Sequence, residues 1–201
     1  MLGPRLEGRN GVALVPPTLE HFRLHPAWEV QPEASRFMGP RFGELTPEKQ
    51  EKRFKETADG QTQIQWTIAY EGEPVGFTGI FHIDWVRRDG ETGLFIGRHD
   101  LYGRGIASEA VRLRTGFAWR ELRLRRVHNW VALANRGSRR ANEKVGYRRM
   151  GLLPRSYFRS GEWYDEWLGE AFANTFPTDD LTARLDVPQR GSGDESQHAG
   201  E

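Results

Sequence analysis

Apolar positions in this chain come first in short runs and alternations, then at helical spacing. Val12 to Val15 is an apolar run closed by Pro16-Pro17 and reads as a short strand. Thr18 then stands as an N-cap, with Glu20 in the first turn of a helix through His25. Glu33 to Phe37 suits a second short helix. Thr46-Pro47 places a cap before a proline at the first helical position, opening a charged helix to about Ala58 that Asp59-Gly60 ends. Gln63 to Tyr70 and Pro74 to Trp85 read as neighbouring strands joined by Glu71-Gly72-Glu73. The turn Arg88-Asp89-Gly90 leads to the next strand, Glu91 to Gly97.

Beyond that point the period lengthens. From Gly103 to about Leu122, Ile106, Ala110, Leu113, Phe117 and Ala118 recur at helical spacing. Val127 to Leu133 is a strand, Gly137 to Val145 a helix and Tyr147 to Leu153 a strand. Tyr157 to Gly169 completes the sheet around Ser160-Gly161. Hairpins followed by strand–helix–strand units predict an α/β (α+β) fold, a mixed sheet with helices on its faces. The expected organisation is an N-terminal extension over 1–10, one domain over 11–172 and a polar tail over 173–201. Its last dozen or so residues, rich in Gly, Ser, Asp and Glu, are expected to be disordered.

Composition narrows the function. With 201 residues the chain can build one substantial core, and a second full domain is not expected. Acids and bases nearly balance at a formal net charge of +1, so no global field selects nucleic acid or an anionic membrane. Arginines do cluster in 112–126 and 136–140, a pattern that usually marks a solvated helix face. The absence of cysteine excludes disulfides, zinc–thiolate sites and a cysteine nucleophile. His82, His99 and His128 lack metal-ligand spacing, and no metal is expected. No apolar run approaches the ~20 residues that span a bilayer, and residues 1–10 have no signal-peptide core. The default expectation is a cytoplasmic protein.

The richest stretch is Leu94 to Ala110, an apolar strand, a turn, then Gly103-Arg104-Gly105 entering a helix. A helix start leaves backbone N–H groups unpaired, with the positive end of the dipole behind them. Glycines and Ala107 let a phosphate come close, so the turn is a candidate anion site. A nucleoside-triphosphate loop would require Gly-Lys-(Ser/Thr) here, and that ending is missing. About thirty residues on comes a second constellation, Asn135-Arg136-Gly137-Ser138 followed by Glu143-Lys144-Val145-Gly146-Tyr147. A third is Gly161-Glu162-Trp163-Tyr164-Asp165.

Together the three resemble the GNAT superfamily of N-acetyltransferases, over roughly residues 10 to 170. Tyr102 to Ala107 matches the pyrophosphate motif (Gln/Arg)-x-x-Gly-x-(Gly/Ala), with Tyr102 replacing the opening Gln or Arg. That replacement and the second and third motifs are similar to the subgroup that acetylates ribosomal-protein N-termini. The resemblance implies a mostly antiparallel sheet splayed between two parallel strands, here Glu91–Gly97 and Val127–Leu133, with acetyl-CoA as cosubstrate. Backbone groups of Gly93, Leu94, Phe95, Ile96 and Gly97 would pair with the pantetheine amides, and one N–H there would face the thioester oxygen. Gly103, Arg104, Gly105, Ile106 and Ala107 would cradle the pyrophosphate, although Arg104 also suits a solvated turn. Asn135 is both a helix N-cap and a candidate partner for pantetheine.

Glu91 is the candidate general base, through water, for an amine that is almost wholly protonated at neutral pH. Its ordinary reading is an exposed acid beside a turn. Asp84 and Asp165 are alternatives as base, or residues that orient a cationic acceptor. Family members often use a tyrosine as acid at the position of Asn142. Here Ser138 or a water would protonate the thiolate, or no acid is used. Trp163, Tyr164 and Trp167 read as core by strand alternation. The acceptor is a protein N-terminus or a small amine such as a polyamine, amino sugar or antibiotic. A peptide groove would favour the first, and a closed acidic pocket of Asp84, Glu91 and Asp165 the second. A non-catalytic acyl-CoA-binding module is the rival from another class. Neither nucleic acid nor membrane is an expected partner, and the protein is expected as a monomer or homodimer.

Overall fold

Turns read from the sequence fold each strand back on its predecessor. The computed structural model describes residues 1–38, 46–159 and 161–175. Its strands are β1 (Leu6–Glu7), β2 (Val12–Val15), β3 (Ile64–Tyr70), β4 (Glu73–Asp84), β5 (Asp89–Ile96), β6 (Arg126–Ala132), β7 (Arg148–Arg159) and β8 (Glu162–Phe172). They form one sheet in the order β1-β2-β3-β4-β5-β6-β8-β7, and among these described strands the one parallel pair is β5 with β6. The helices are α1 (Leu19–Glu29), α2 (Pro32–Ser35), α3 (Pro47–Asp59), α4 (Ile106–Arg120) and α5 (Arg136–Glu143). Among the described residues no helix is long and apolar enough to cross a membrane.

Two apolar clusters cover the two faces of the sheet. Ile106, Ala110, Leu113 and Phe117 of α4 pack onto Trp66, Ile68, Ile80 and Val127. Trp66 meets Phe117 edge-on at 5.2 Å between ring centroids. On the other face Trp28 of α1 and Ala34 of α2 pack on Phe95 and Phe77. The helical period of α4 and the alternation of the strands therefore serve the same core.

Several elements run differently from the pattern. The α1 helix continues past His25 and through Pro26 to Glu29. Trp28, at its end, sits so close to Gly97 that a Cβ there would lie 2.2 Å from the indole, and this packing outweighs the local breaker. The β7 strand continues past Leu153 to Arg159, pairing with β8 from Arg148↔Glu170 to Arg159↔Glu162. One register shift falls between Arg149 and Gly151, and a second, between Leu153 and Tyr157, absorbs Pro154, with Arg155 at a left-handed φ of +50°. Tyr157, expected with the last strand, therefore lies on β7, while Tyr147 is buried before it.

Residues ahead of Val12 are tied to the sheet rather than trailing from it. Leu6 and Glu7 pair with Leu14 and Ala13, and the Gly3 N–H donates to the Gln65 carbonyl at 2.8 Å. A Cβ on Gly3 would lie 2.0 Å from the Trp66 ring, so this close approach requires glycine. A two-residue strand carries too little alternation to be recognised. Ser160 and residues 176–201, including the stretch expected to be disordered, lie outside the described residues.

Candidate active site

The parallel strands pair over three residues and then part. Asp89, Gly90 and Glu91 face Arg126, Val127 and His128, and the register ends there. Beyond this point a cavity of about 190 Å³ opens between the strands. Glu91 to Leu94 line one wall and Asn129 to Ala132 another, with Asn135, Ser138 and Asn142 closing a third. Phe95 and Ile96 turn their side chains into the two cores. Gly97 donates its N–H to the Val75 carbonyl at 2.8 Å, so it is held by β4 and does not face the gap.

The glycine turn has the predicted form. Gly103 and Gly105 take left-handed φ values of +84° and +82°, and a Cβ on either would meet nothing within 4 Å. Gly105 is the N-cap of α4 and no side chain caps the helix. The first turn, with Ile106 and Ala107, thus presents N–H donors to open space, the geometry that accepts phosphate oxygens. Arg104 is exposed at the tip. Tyr102 donates its hydroxyl to the Ile96 carbonyl at 3.1 Å, so it pins the turn to the end of β5. The turn, the cavity and the uncapped helix fit a phosphate-headed, thioester-bearing arm.

Glu91 lines the cavity with its side chain about one-third exposed. Its Oε2 lies 3.1 Å from His82 Nδ1, a contact that strand alternation does not predict. A bulge between Phe81 and Asp84, with His82 at φ +49°, turns the imidazole onto this face. Across the parallel pair stands His128, whose pKa is lowered by burial first and by Arg126 second. The neutral imidazole therefore persists at lower pH than usual.

Asp84 and Asp165 do not join this group. Asp84 Oδ1 accepts the N–H groups of Val86 and Arg87 at 2.9 and 2.8 Å, fixing the β4–β5 turn. Asp165 Oδ1 accepts from the Arg155 N–H at 2.9 Å, holding the bulge of β7. Neither lines the cavity; the acid that does, besides Glu91, is Glu166. Short carboxylates beside turns are ambiguous in sequence because capping and substrate binding use the same group.

On α5, Asn135 Oδ1 accepts the Ser138 N–H at 3.1 Å, the expected cap. Asn142 is buried and held at both ends of its amide: its Nδ2 donates to the Ser138 carbonyl and its Oδ1 accepts from Asn129, each at 2.8 Å. The residue in the expected acid position is thus a strut between α5 and β6. Ser138 lines the cavity beside it. The aromatic set divides, with Trp167 buried while Trp163 is exposed against Phe158.

Tyr157, Trp130 and Arg114 also line the cavity and were not singled out by the sequence. The Tyr157 hydroxyl is buried without a hydrogen-bond partner among the described residues, and burial raises its pKa. Periodicity assigns Arg114 to α4, but the rest of the arginine run disguises its inward direction. The cluster around residue 112 was expected on a solvated face, yet Arg114 is 1% exposed.

A family model described as an acetyltransferase (GNAT) domain matches residues 12–148. The chain is 29% identical over 116 residues to "Putative ribosomal N-acetyltransferase YdaF" of Bacillus subtilis, covering 53% of this chain and 63% of that protein. It thus spans less than two thirds of that relative's length. Its fold is similar to Mycobacterium smegmatis RimJ in complex with CoA-disulfide, at TM-score 0.75 and 22% identity, covering 88% of each chain. It is also similar to spermidine N-acetyltransferase from Vibrio cholerae in complex with CoA and spermine. There the TM-score is 0.74 at 14% identity, covering 82% of this chain and 97% of that one.

Proposed function

The chain belongs to the GNAT acetyltransferase family, and from that premise we propose that it transfers acetyl from acetyl-CoA directly to a protein N-terminal amine, of the ribosomal-protein type. The observation that carries this reading is the parting of β5 and β6 after Glu91 and His128, which opens the cavity beside a helix whose N-terminus is uncapped. The N–H donors at Gly105, Ile106 and Ala107, with Gly103 and Arg104, hold the pyrophosphate. Backbone groups of Gly93 and Leu94 hold the arm in the gap. Asn135 serves α5 as its cap and borders the same space. When bound, acetyl-CoA supplies the activated acyl group; the protein positions it, takes a proton from the amine and excludes competing water.

Glu91 is the residue placed for that proton, at the cavity wall and within reach of His82. Asp84 and Asp165 hold backbone instead, so a closed pocket of three acids for a polycation is not assembled. Aromatic Phe37, Trp130 and Tyr157 line the cavity with Glu91 and Glu166, a mixture of apolar and acidic groups suited to a peptide start. An N-terminal amine also needs less help from a base, because its pKa near 8 lies well below the ~10 of a lysine-type amine. The small-amine alternative shares the same cofactor motifs, and the likeness to the spermidine enzyme, at 14% identity, concerns the fold alone.

The test is an acceptor screen with free CoA detected and products identified by mass. Peptides bearing N-terminal Ala or Ser, spermidine, amino sugars and aminoglycosides form the panel. Acetylated peptide N-termini are expected. Preferred turnover of spermidine would replace the acceptor assignment. Bound acetyl-CoA with no CoA released under any amine would instead identify an acyl-CoA-binding module.

A further inference from the structure

Arg114 projects from the middle of α4 into the sheet, where its side chain is 1% exposed. Its partners are neutral. Nη1 donates to Thr78 Oγ1 and to the Gly93 carbonyl, each at 2.8 Å, and Nη2 to the Tyr147 hydroxyl at 3.3 Å. Nε is buried and has no hydrogen-bond partner among the described residues, and none of their carboxylates forms an ion pair with the group. Arginine stays charged in proteins, so this is a permanent cation taken out of water without a counter-charge.

The network does not require the guanidinium. The Gly93 carbonyl also accepts from Thr78 Oγ1 at 2.7 Å. The Tyr147 hydroxyl also contacts Thr92 Oγ1 at 3.1 Å and Thr115 Oγ1 at 3.5 Å. Each acceptor thus keeps a partner if the guanidinium is removed, and replacing a buried charge by an apolar side chain is often neutral or stabilising. The charge is therefore poorly explained by the fold. It lies instead on the wall of the cavity between the strands, with Asn142 and Ser138 on the same cavity.

We propose that Arg114 stabilises the negative charge that develops on the departing sulfur during acyl transfer. The proposal rests on the acetyl-CoA reading above. In the reaction the amine nitrogen attacks the thioester carbonyl carbon, the C–S bond breaks and sulfur leaves with the bonding pair. The amine proton passes toward Glu91. Asn142 is an amide held at both ends and supplies no proton, and the Ser138 hydroxyl, a weaker acid than a thiol, can offer sulfur only a hydrogen bond, so sulfur departs as thiolate in a cavity where a fixed cation offsets its charge. A cation in a water-poor site acts more strongly on such a charge than it would in solvent.

The experiment compares wild type, Arg114→Met and Arg114→Lys. The thiol pKa of bound CoA is read from its ultraviolet thiolate absorbance across pH, beside acetyl-CoA affinity, melting temperature and single-turnover rate. Wild type is expected to bind CoA with a thiol pKa about 1–3 pH units below that of free CoA, as a nearby opposite charge produces. Arg114→Met should fold, melt no lower than wild type and bind acetyl-CoA within a few-fold. Its bound thiol should return toward the free pKa, and single-turnover rate should fall about 10²–10³-fold, the scale of losing one charge-stabilising group. Arg114→Lys should recover part of both effects. An unshifted thiol in wild type, or a Met variant with unchanged thiol and rate, would overturn the proposal. A Met variant that fails to fold would assign Arg114 to the fold and overturn it equally. Failure of wild type to bind acetyl-CoA at all would instead defeat the underlying reading of the site.

Discussion

Substitution of Gly105 separates backbone strain from ligand binding. Its φ of +82° is a conformation that costs a residue with a Cβ about 1–2 kcal/mol, yet that Cβ would meet nothing within 4 Å. Gly105→Ala should therefore fold. At about 2–4 °C per kcal/mol for a domain of this size, it should melt about 2–8 °C lower. Gly105→Asp carries the same strain and adds a carboxylate beside the N–H groups of Ile106 and Ala107. Two hydrogen bonds to a charged phosphate are worth about 1.5–3 kcal/mol each, and losing both weakens binding by about 3–6 kcal/mol. That corresponds to an acetyl-CoA Kd raised roughly 10²–10⁴-fold. Calorimetric titration of both variants, with melting curves alongside, makes the comparison. A folded Gly105→Asp protein with wild-type affinity would remove the phosphate from this helix end.

Three further predictions concern the cavity. Glu91→Gln should lower turnover about 10²–10⁴-fold at neutral pH and recover partly at higher pH, where the amine loses its own proton; an unchanged pH–rate profile would exclude Glu91 as base. Ser138→Ala should slow single-turnover chemistry while leaving acetyl-CoA affinity nearly unchanged if its hydroxyl donates to sulfur, and a wild-type rate would leave it a helix residue. His128, depressed by burial and Arg126, is protonated more readily in the unfolded chain. Its contribution to stability is therefore full above the ordinary histidine value near pH 6.5 and is lost as pH falls below it, toward the lower folded pKa. His21 is shifted in the same direction by burial. Melting temperature should drop between about pH 7 and about pH 5.5, less steeply in His128→Gln, and equal slopes would refute the assignment.

Much of this arrangement was legible where one physical rule acts alone. The glycine turn needs left-handed residues and open space, so Gly103 and Gly105 announce it in sequence and keep that geometry in the fold. The helical period of α4 likewise locates its core face. Legibility fails where one residue type serves two physical ends. Asp84 and Asp165 bind backbone with the same oxygens that would bind a cation. His82 reaches Glu91 through a bulge, which shifts the two-residue period without any glycine or proline at that residue. Arg114 lies in a basic run whose neighbour Arg112 pairs with Glu109, and only packing distinguishes the inward arginine.

The opening between the parallel strands follows from the same local competition. Where the β5–β6 register ends, side chains take groups that a continued ladder would pair by backbone. Thr92 Oγ1 donates to the His128 carbonyl at 3.1 Å, while Thr78 and Arg114 take the carbonyl of Gly93. Asn129 reaches across to Asn142, so β6 is fastened to α5 as it diverges. Buried carbonyls require donors, and supplying them from side chains lets the strands part without leaving those carbonyls unpaired. The gap is thus built by threonine and asparagine at particular positions, with Arg114 sharing a carbonyl that Thr78 already satisfies. An apolar replacement of Thr92 would remove this donor and leave the His128 carbonyl to find another. The hydroxyls and amides that let the strands part also line the slot, so the same local substitutions that shape the sheet leave room for an extended arm between β5 and β6.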